Sequence, residues 1–492
     1  MILLRLCLCD ISGKRGREWE KCCIFVRFII GLLRMRRKNE IVVLLAWCAA
    51  LLVVAGCGGR SRGDVAAGEA KDSTKATKVE FYVENSGSMY GYVQGGTQFK
   101  DVLEHLLVMS KETYGQPGIQ FINAKVVPTG LGDDVENFCL RLNPVTMKQG
   151  NTSSSNINSI FSQILERTDD HTVSVLFSDC IYSVQKGNAL EYLNHQKNQT
   201  QRAFMDAIGK HGGDLALVML QCKSVFNGFY FDMLDQPLKY YGFRPYFVVI
   251  MGETARVRDF CNRIELDEDH VNGLLHKYMV SSQNTTLDQD NACVLTSDFS
   301  NVRRIIPSRG KLGIDRLDLS GREVDSLYFS VAVDANRLFT DESYLKDTAN
   351  YETSPAGLRV VRVDRVTPEG SAYGDCAAAG LENPYYLTLQ TPNEAIGGHI
   401  GVNLKYRLPE WIALSSTTND VKRVPPFYVT FGIDHMMRGI NDAFLAKNEG
   451  KGIFHLDFVI NRTGRSSSFP TGLVVIALIL AAIVGISIKM KR

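Results

Sequence analysis

Between Lys78 and Ile264, short apolar runs alternate with stretches in which apolar residues recur every three or four positions, and this alternation restricts the fold more than any other feature. Val79, Phe81 and Val83 alternate with polar or amphipathic neighbours, as in a strand. Phe99 to Met109 has helical spacing, with Phe99, Val102, Leu103, Leu106 and Leu107 on one face. Ile119 to Val127 reads as a second strand, Ile157 to Leu165 as a helix and Val173 to Phe177 as a buried strand. Ala203 to Ile208 belongs to a helix, Leu215 to Leu220 and Tyr246 to Met251 to strands, and Ala255 to Ile264 to a further helix. The pattern predicts an α/β domain over residues 78–265, doubly wound, with a mostly parallel sheet covered on both faces. Ligands of such sheets bind at the carboxyl ends of the strands.

After about residue 270 the pattern changes. Short alternating runs occur at Ser326–Val333, Leu358–Val363, Tyr385–Leu389, His399–Leu408 and Pro426–Phe431, punctuated by Gly, Pro, Asn and Asp. Residues 270–465 therefore read as a β-rich, sandwich-like domain with one helix at Ile433 to Leu445.

The two ends carry a different signal. Met35-Arg36-Arg37-Lys38-Asn39-Glu40 is a basic n-region and Ile41 to Val54 an apolar h-region. Val54-Ala55-Gly56-Cys57 follows and resembles a bacterial lipobox, whose Cys thiol becomes acylated. Residues 1–57 are thus a signal or lipoprotein segment, with translation expected to start at Met35, Cys57 the lipidation site, and an uncleaved membrane anchor the alternative. Residues 58–77, rich in Gly, Ala, Ser, Lys and Asp, form a flexible tether. Near the other end, residues 470–488 are expected to form a transmembrane helix: Gly472 to Ile488 is uninterrupted and apolar, about the span of a bilayer core at roughly 1.5 Å per residue. It precedes the basic tail 489–492, which the positive-inside rule assigns to the cytoplasm. Both ends agree on a bacterial cell-envelope protein, held at the inner membrane with its body in the periplasm. A net charge of +2 over 492 residues gives no reason to expect nucleic acid as a partner. Cys139, Cys180, Cys222, Cys261, Cys293 and Cys376 fall in the body without CxxC or metal-type spacing; an oxidising compartment permits disulfides, buried free thiols fit equally, and the pairing stays open.

The residues that carry chemistry follow the first strand: Glu84-Asn85-Ser86-Gly87-Ser88. An acid and two hydroxyls at i, i+2 and i+4 past a strand end can turn their oxygens toward one point, the donor set a hard cation such as Mg²⁺ requires. This segment resembles the metal-ion-dependent adhesion site (MIDAS) of von Willebrand factor A (vWA) domains, whose first motif is D-x-S-x-S. Thr152, in a loop before the 157–165 helix, and Asp179, closing the 173–178 strand, match the family's two further pieces in order and context. The resemblance implies a vWA/Rossmann-like fold over roughly Lys78 to Ile264, with Glu84, Ser86, Ser88, Thr152 and Asp179 as metal ligands, direct or through water. The cofactor implied is a divalent cation, Mg²⁺ first, with Mn²⁺ or Ca²⁺ as alternatives. The departure is Glu84, where the family has Asp; one extra methylene displaces the carboxylate by about a bond length in a site that needs distances near 2.0–2.1 Å.

Other motifs are weak. Ser183–Lys186, Ser308–Lys311 and Ser343–Lys346 match SxxK without a KTG partner, and there is no HExxH, P-loop or GxSxG. His171 and His435 lack metal spacing. Phe226, Phe229, Tyr230, Phe231, Tyr240, Tyr241 and Phe243 cluster in an apparent insertion, read as core packing or a hairpin, with a partner-binding lip as the functional alternative. The expected function is a membrane-anchored protein-binding module in which a protein partner supplies an acidic side chain to the metal, as the resemblance implies. Two alternatives stand beside it: a metal-dependent hydrolase of the envelope, for which no general base is evident in any motif, and a structural envelope protein with a degenerate, metal-free domain.

Overall fold

A computed structural model describes residues 77–463, apart from 133, 153–155, 183–187, 301, 320–324, 393–396 and 450. The expected lipidation site Cys57, the tether up to residue 76 and the apolar 472–488 segment lie outside the described residues. Among the described residues no helix is long and apolar enough to cross a membrane.

The first strand, β1 (Lys78–Glu84), is central and buried beyond Lys78 because sheet neighbours flank it and helices cover both faces. Val79, Phe81 and Val83 pack on one side against helix α1 (Gln98–Tyr114). Thr97 caps α1 by accepting from Lys100 N, and the helix stops at Gly115, whose φ of +87° suits glycine. The next elements are β2 (Gly118–Ile122), β3 (Val126–Pro128), α2 (Val135–Arg141), α3 (Ile157–Arg167), β4 (Thr172–Ser178) and α4 (Ala189–Lys210). They are followed by β5 (Ala216–Phe231), β6 (Pro237–Gly252), α5 (Thr254–Ile264) and β7 (Leu274–Ser281). Helices α1, α2 and α5 cover the Phe81 face; α3 and α4 cover the Tyr82 face, so the sheet is layered on both sides.

The sheet order is β3-β2-β1-β4-β6-β5-β7. The expectation of a mostly parallel sheet is corrected here. Only β1 with β2 and β1 with β4 pair in parallel. β3, β6 and β7 run against the other strands. The cause is the connections. A helix carries the chain between parallel neighbours, but the run read as one strand over 119–127 turns back at Asn123–Lys125, and β5 returns directly as β6. The aromatic insertion is that β5–β6 hairpin, its outer parts projecting past the buried sheet as a two-stranded ribbon.

The β-rich part contains β8 (Thr285–Leu287), β9 (Ala292–Leu295), β10 (Val302–Pro307), β11 (Gly313–Leu319), β12 (Ser326–Asp334), β13 (Tyr351–Ser354), β14 (Arg359–Arg365), β15 (Pro384–Pro392) and β16 (Gly398–Leu404). It ends with β17 (Ser416–Thr417), β18 (Thr430–Phe431), α6 (Ile433–Lys447) and β19 (Phe454–Thr463). One sheet has the order β10-β11-β19-β16-β13, with β8 also on β19; another has β14-β15-β12-β9. They share a core in which Phe329 lies edge-on to Phe458 at 6.4 Å. The expected 426–431 strand shrinks to the two residues of β18. The expected division near residue 270 is crossed twice. β7 completes the first sheet, and α6 packs on α4 so closely that a Cβ on Gly439 would meet the Lys197 carbonyl oxygen at 2.6 Å. A tilted Phe204–Phe444 ring contact at 6.2 Å and a Lys197–Asp442 ion pair at 2.6 Å complete that contact, and the described residues form one compact unit.

Candidate functional site

β1 and β4 run side by side and end together, which places Glu84 next to Ser178 and the following loops over the same end of the sheet. Glu84 is buried, and its Oε2 accepts from the Ser178 hydroxyl at 2.5 Å. The extra methylene of glutamate thus carries one carboxylate oxygen across to the neighbouring strand. Ser178 Oγ in turn accepts from Cys180 N at 2.9 Å, and Cys180 holds a left-handed φ of +52°, a turn that orients the intervening Asp179.

Past β1, Asn85 is fully buried and its Nδ2 donates to the carbonyls of Met147 and Gln149 at 2.9 and 2.8 Å. This side chain ties the first loop to the 143–152 segment, a role the sequence reading missed. Gly87 N donates to the Thr152 carbonyl at 3.3 Å, so the Thr loop lies against the Ser86–Ser88 loop. The hydroxyls of Ser86 and Ser88 are 3.0 Å apart. Asp179 is 3% exposed, accepts from Ile181 N at 3.3 Å and takes a hydrogen bond from the Ser88 side chain. Burial pushes its carboxyl above the ordinary range, against those two hydrogen bonds and the nearby charge of Arg244. Ser86, Ser88, Asp179 and the Thr152 loop are therefore brought together, with Glu84 beside them at the end of β1, bonded to Ser178 of β4.

The donor set suits a hard cation. Adjacent oxygens of an octahedral ion bound at 2.0–2.1 Å lie roughly 2.9 Å apart, close to the Ser86–Ser88 separation of 3.0 Å. Among the described residues no group of three or more His, Cys, Asp and Glu side chains gathers to hold a metal; the set at this loop has two carboxylates and relies on hydroxyls for the rest.

The β5–β6 ribbon leans on this loop. Phe226 is buried against Tyr92 at 4.9 Å, and a Cβ on Gly228 would lie 2.8 Å from the Gly91 Cα. A Cβ on Gly87 would meet the Phe231 ring at 3.6 Å. Along the other face of the ribbon, Phe229, Tyr241 and Phe243 are exposed. Arg244, near its base, is 1% exposed and was overlooked in the sequence. The available signal was a charged residue sharing strand parity with Tyr246, Val248 and Ile250.

The remaining candidates stay apart from the loop. His171 Nδ1 lies 2.9 Å from Arg256 Nη2, and His435 pairs with Asp434 at 2.7 Å. Ser308 and Ser343 donate to Asp315 and Asp341; residues 183–187 lie outside the described residues. The six body cysteines are free thiols, with Cys293 and Cys376 sharing a hydrogen bond. A cavity of about 1000 Å³ runs along β7, lined by residues such as His276, Lys277, Asp341 and Trp411 and by none of the five candidate ligands. No family model matches the chain, and no curated protein or solved structure matches it significantly.

Proposed function

We propose that this protein is a membrane-anchored, periplasm-facing binding module that recognises a protein partner through a divalent cation held at the carboxyl end of β1 and β4, in the manner of a vWA domain. The observation that carries this reading is the convergence of Ser86, Ser88, Asp179 and the Thr152 loop on one end of a sheet covered on both faces. Ser86, Ser88, Thr152 and Asp179 would hold the cation, with Glu84 ligating it or ordering its water. The bound cation would supply an open coordination position for an acidic side chain of the partner.

The chain's own residues would do the rest. Ser178 fixes the Glu84 carboxylate, Asn85 locks the two loops together, and the left-handed turn at Cys180 aims Asp179. Preorganisation of this kind removes the ordering cost that binding would otherwise carry. The exposed aromatic rings of Phe229, Tyr241 and Phe243 would give the partner an apolar lip on the outer face of the ribbon.

The test is calorimetric titration of Mg²⁺ and Mn²⁺ into the full chain, with Asp179→Ala as control. Binding in the wild type that the substitution removes is the expected result. Absence of binding at millimolar metal would sink metal-bridged recognition.

A further inference from the structure

Arg244 is a buried cation that the proposed function does not use. Its guanidinium lies 4.4 Å from the Tyr230 ring centroid, and Nη1 donates to the Pro425 carbonyl at 3.2 Å. Among the described residues Nη2 has no hydrogen-bond partner and no carboxylate forms an ion pair with Arg244. An arginine does not lose its proton in a protein, so this charge is permanent.

The register shows what the charge faces. Phe177 lies opposite Val248 and Ser178 opposite Phe247. That is the last pair of the two strands, and Asp179 on one side and Arg244 on the other both lie just past it, at the same end of the sheet. The Tyr92 hydroxyl donates to the carbonyl of Pro245 at 2.5 Å, so the 3₁₀ turn Gly87–Val93 that follows Ser86 is tied to the backbone beside Arg244.

We propose that Arg244 is the resident counter-cation of the site: it neutralises Asp179 when no divalent ion is bound and holds the site's affinity for such an ion down. This rests on the metal reading above. The Tyr230 ring and the Pro425 carbonyl hold the guanidinium in place, so it cannot withdraw as the ion enters. A divalent ion must then load against a fixed like charge. A partner carboxylate brings the missing negative charge, so ion and acidic partner enter together rather than in sequence. The role is one of positioning and affinity, since Arg244 touches neither ion nor partner.

The experiment titrates Mn²⁺ into the full chain, followed by the loss of the free-ion paramagnetic resonance signal, in wild type, Arg244→Gln, Arg244→Met and Arg244→Lys. Gln keeps a donor for the Pro425 carbonyl, Met keeps the stem volume, and Lys keeps the charge. The neutral variants are expected to bind Mn²⁺ at least about ten-fold tighter than wild type, and Arg244→Lys to stay within about three-fold of it. In chelator the neutral variants melt at lower temperature than wild type, and Mn²⁺ raises their midpoint more than it raises the wild-type midpoint. Equal or weaker Mn²⁺ binding in the neutral variants, with wild type binding, overturns the role of Arg244 and leaves the metal reading intact. No binding in any of the four overturns both. Neutral variants that fold neither in chelator nor in Mn²⁺ assign Arg244 to packing and overturn the proposal.

Discussion

The two halves of the seven-stranded sheet are built differently. In the half made of β2, β1 and β4, edged by the short antiparallel β3, these three strands run parallel and helices lie on the connections between them. In the half made of β6, β5 and β7, neighbours run antiparallel, and β5 and β6 continue past the sheet as a ribbon. The parallel half can only offer loops at its carboxyl edge, and there it gathers Glu84, Ser86, Ser88, Thr152 and Asp179. In the antiparallel half β5 and β6 reach over that edge as structure, beside the 265–273 loop that leads into β7, and contribute Arg244, Phe226 and the exposed rings. The candidate ligands thus sit on one half and their surroundings on the other.

Phe226→Ala should break this comparison most strongly. The ring is 2% exposed and joins the ribbon to Tyr92, so its loss should cost about 4 kcal/mol in a urea unfolding titration. A cost below about 1 kcal/mol would mean that the ribbon and the candidate loop are not mechanically joined.

A pH series sharpens the contrast at intermediate size. Asp420 is fully buried, accepts from the Tyr230 hydroxyl and from Met233 N, and burial raises its carboxyl above the ordinary range despite those bonds. The native state therefore holds this proton more tightly than the unfolded chain does. Stability should fall as pH rises from the ordinary aspartate value of 3.8 through the raised native value. Asp420→Asn should flatten that part of the profile, measured by thermal unfolding in chelator. A profile that the substitution leaves unchanged would mean that the base of the ribbon carries no such charge cost.

Tyr241→Ser should have the smallest effect on folding. The ring is 75% exposed, and its removal should change stability by less than about 0.5 kcal/mol. Under the proposed function, the same substitution weakens partner capture with Mn²⁺ affinity unchanged. A stability loss above about 1 kcal/mol would show that the outer ribbon face is a packing surface rather than a lip.

Much of the first sheet was legible because its strands are buried runs and its helices amphipathic. Phe99, Val102, Leu103, Leu106 and Leu107 are all buried on α1, as their spacing predicts. β19 was missed although Phe454, Leu456, Phe458 and Ile460 alternate with His455 and Asp457, a period-2 signal at the end of the β-rich stretch. The Pro426–Phe431 run was misread because an apolar hexamer opening on proline also suits a turn, and here Val429 N closes back on the Pro426 carbonyl. At the candidate site, the order of Glu84, Ser86, Ser88, Thr152 and Asp179 was visible, whereas Asn85 and Arg244 were not. Their roles depend on partners 62 and 181 residues away, Met147 and Pro425.

By itself the sequence determined most of the strands and helices over residues 78–264 and which oxygen-bearing residues stand at the strand ends, because periodicity and turn chemistry are local. Tertiary structure decided strand direction, the pairing of β7 with β5, the docking of α6 on α4 and the burial of Arg244 near Asp179. Each of these depends on which surfaces meet after the chain has closed loops of tens to hundreds of residues, and no local pattern encodes that choice.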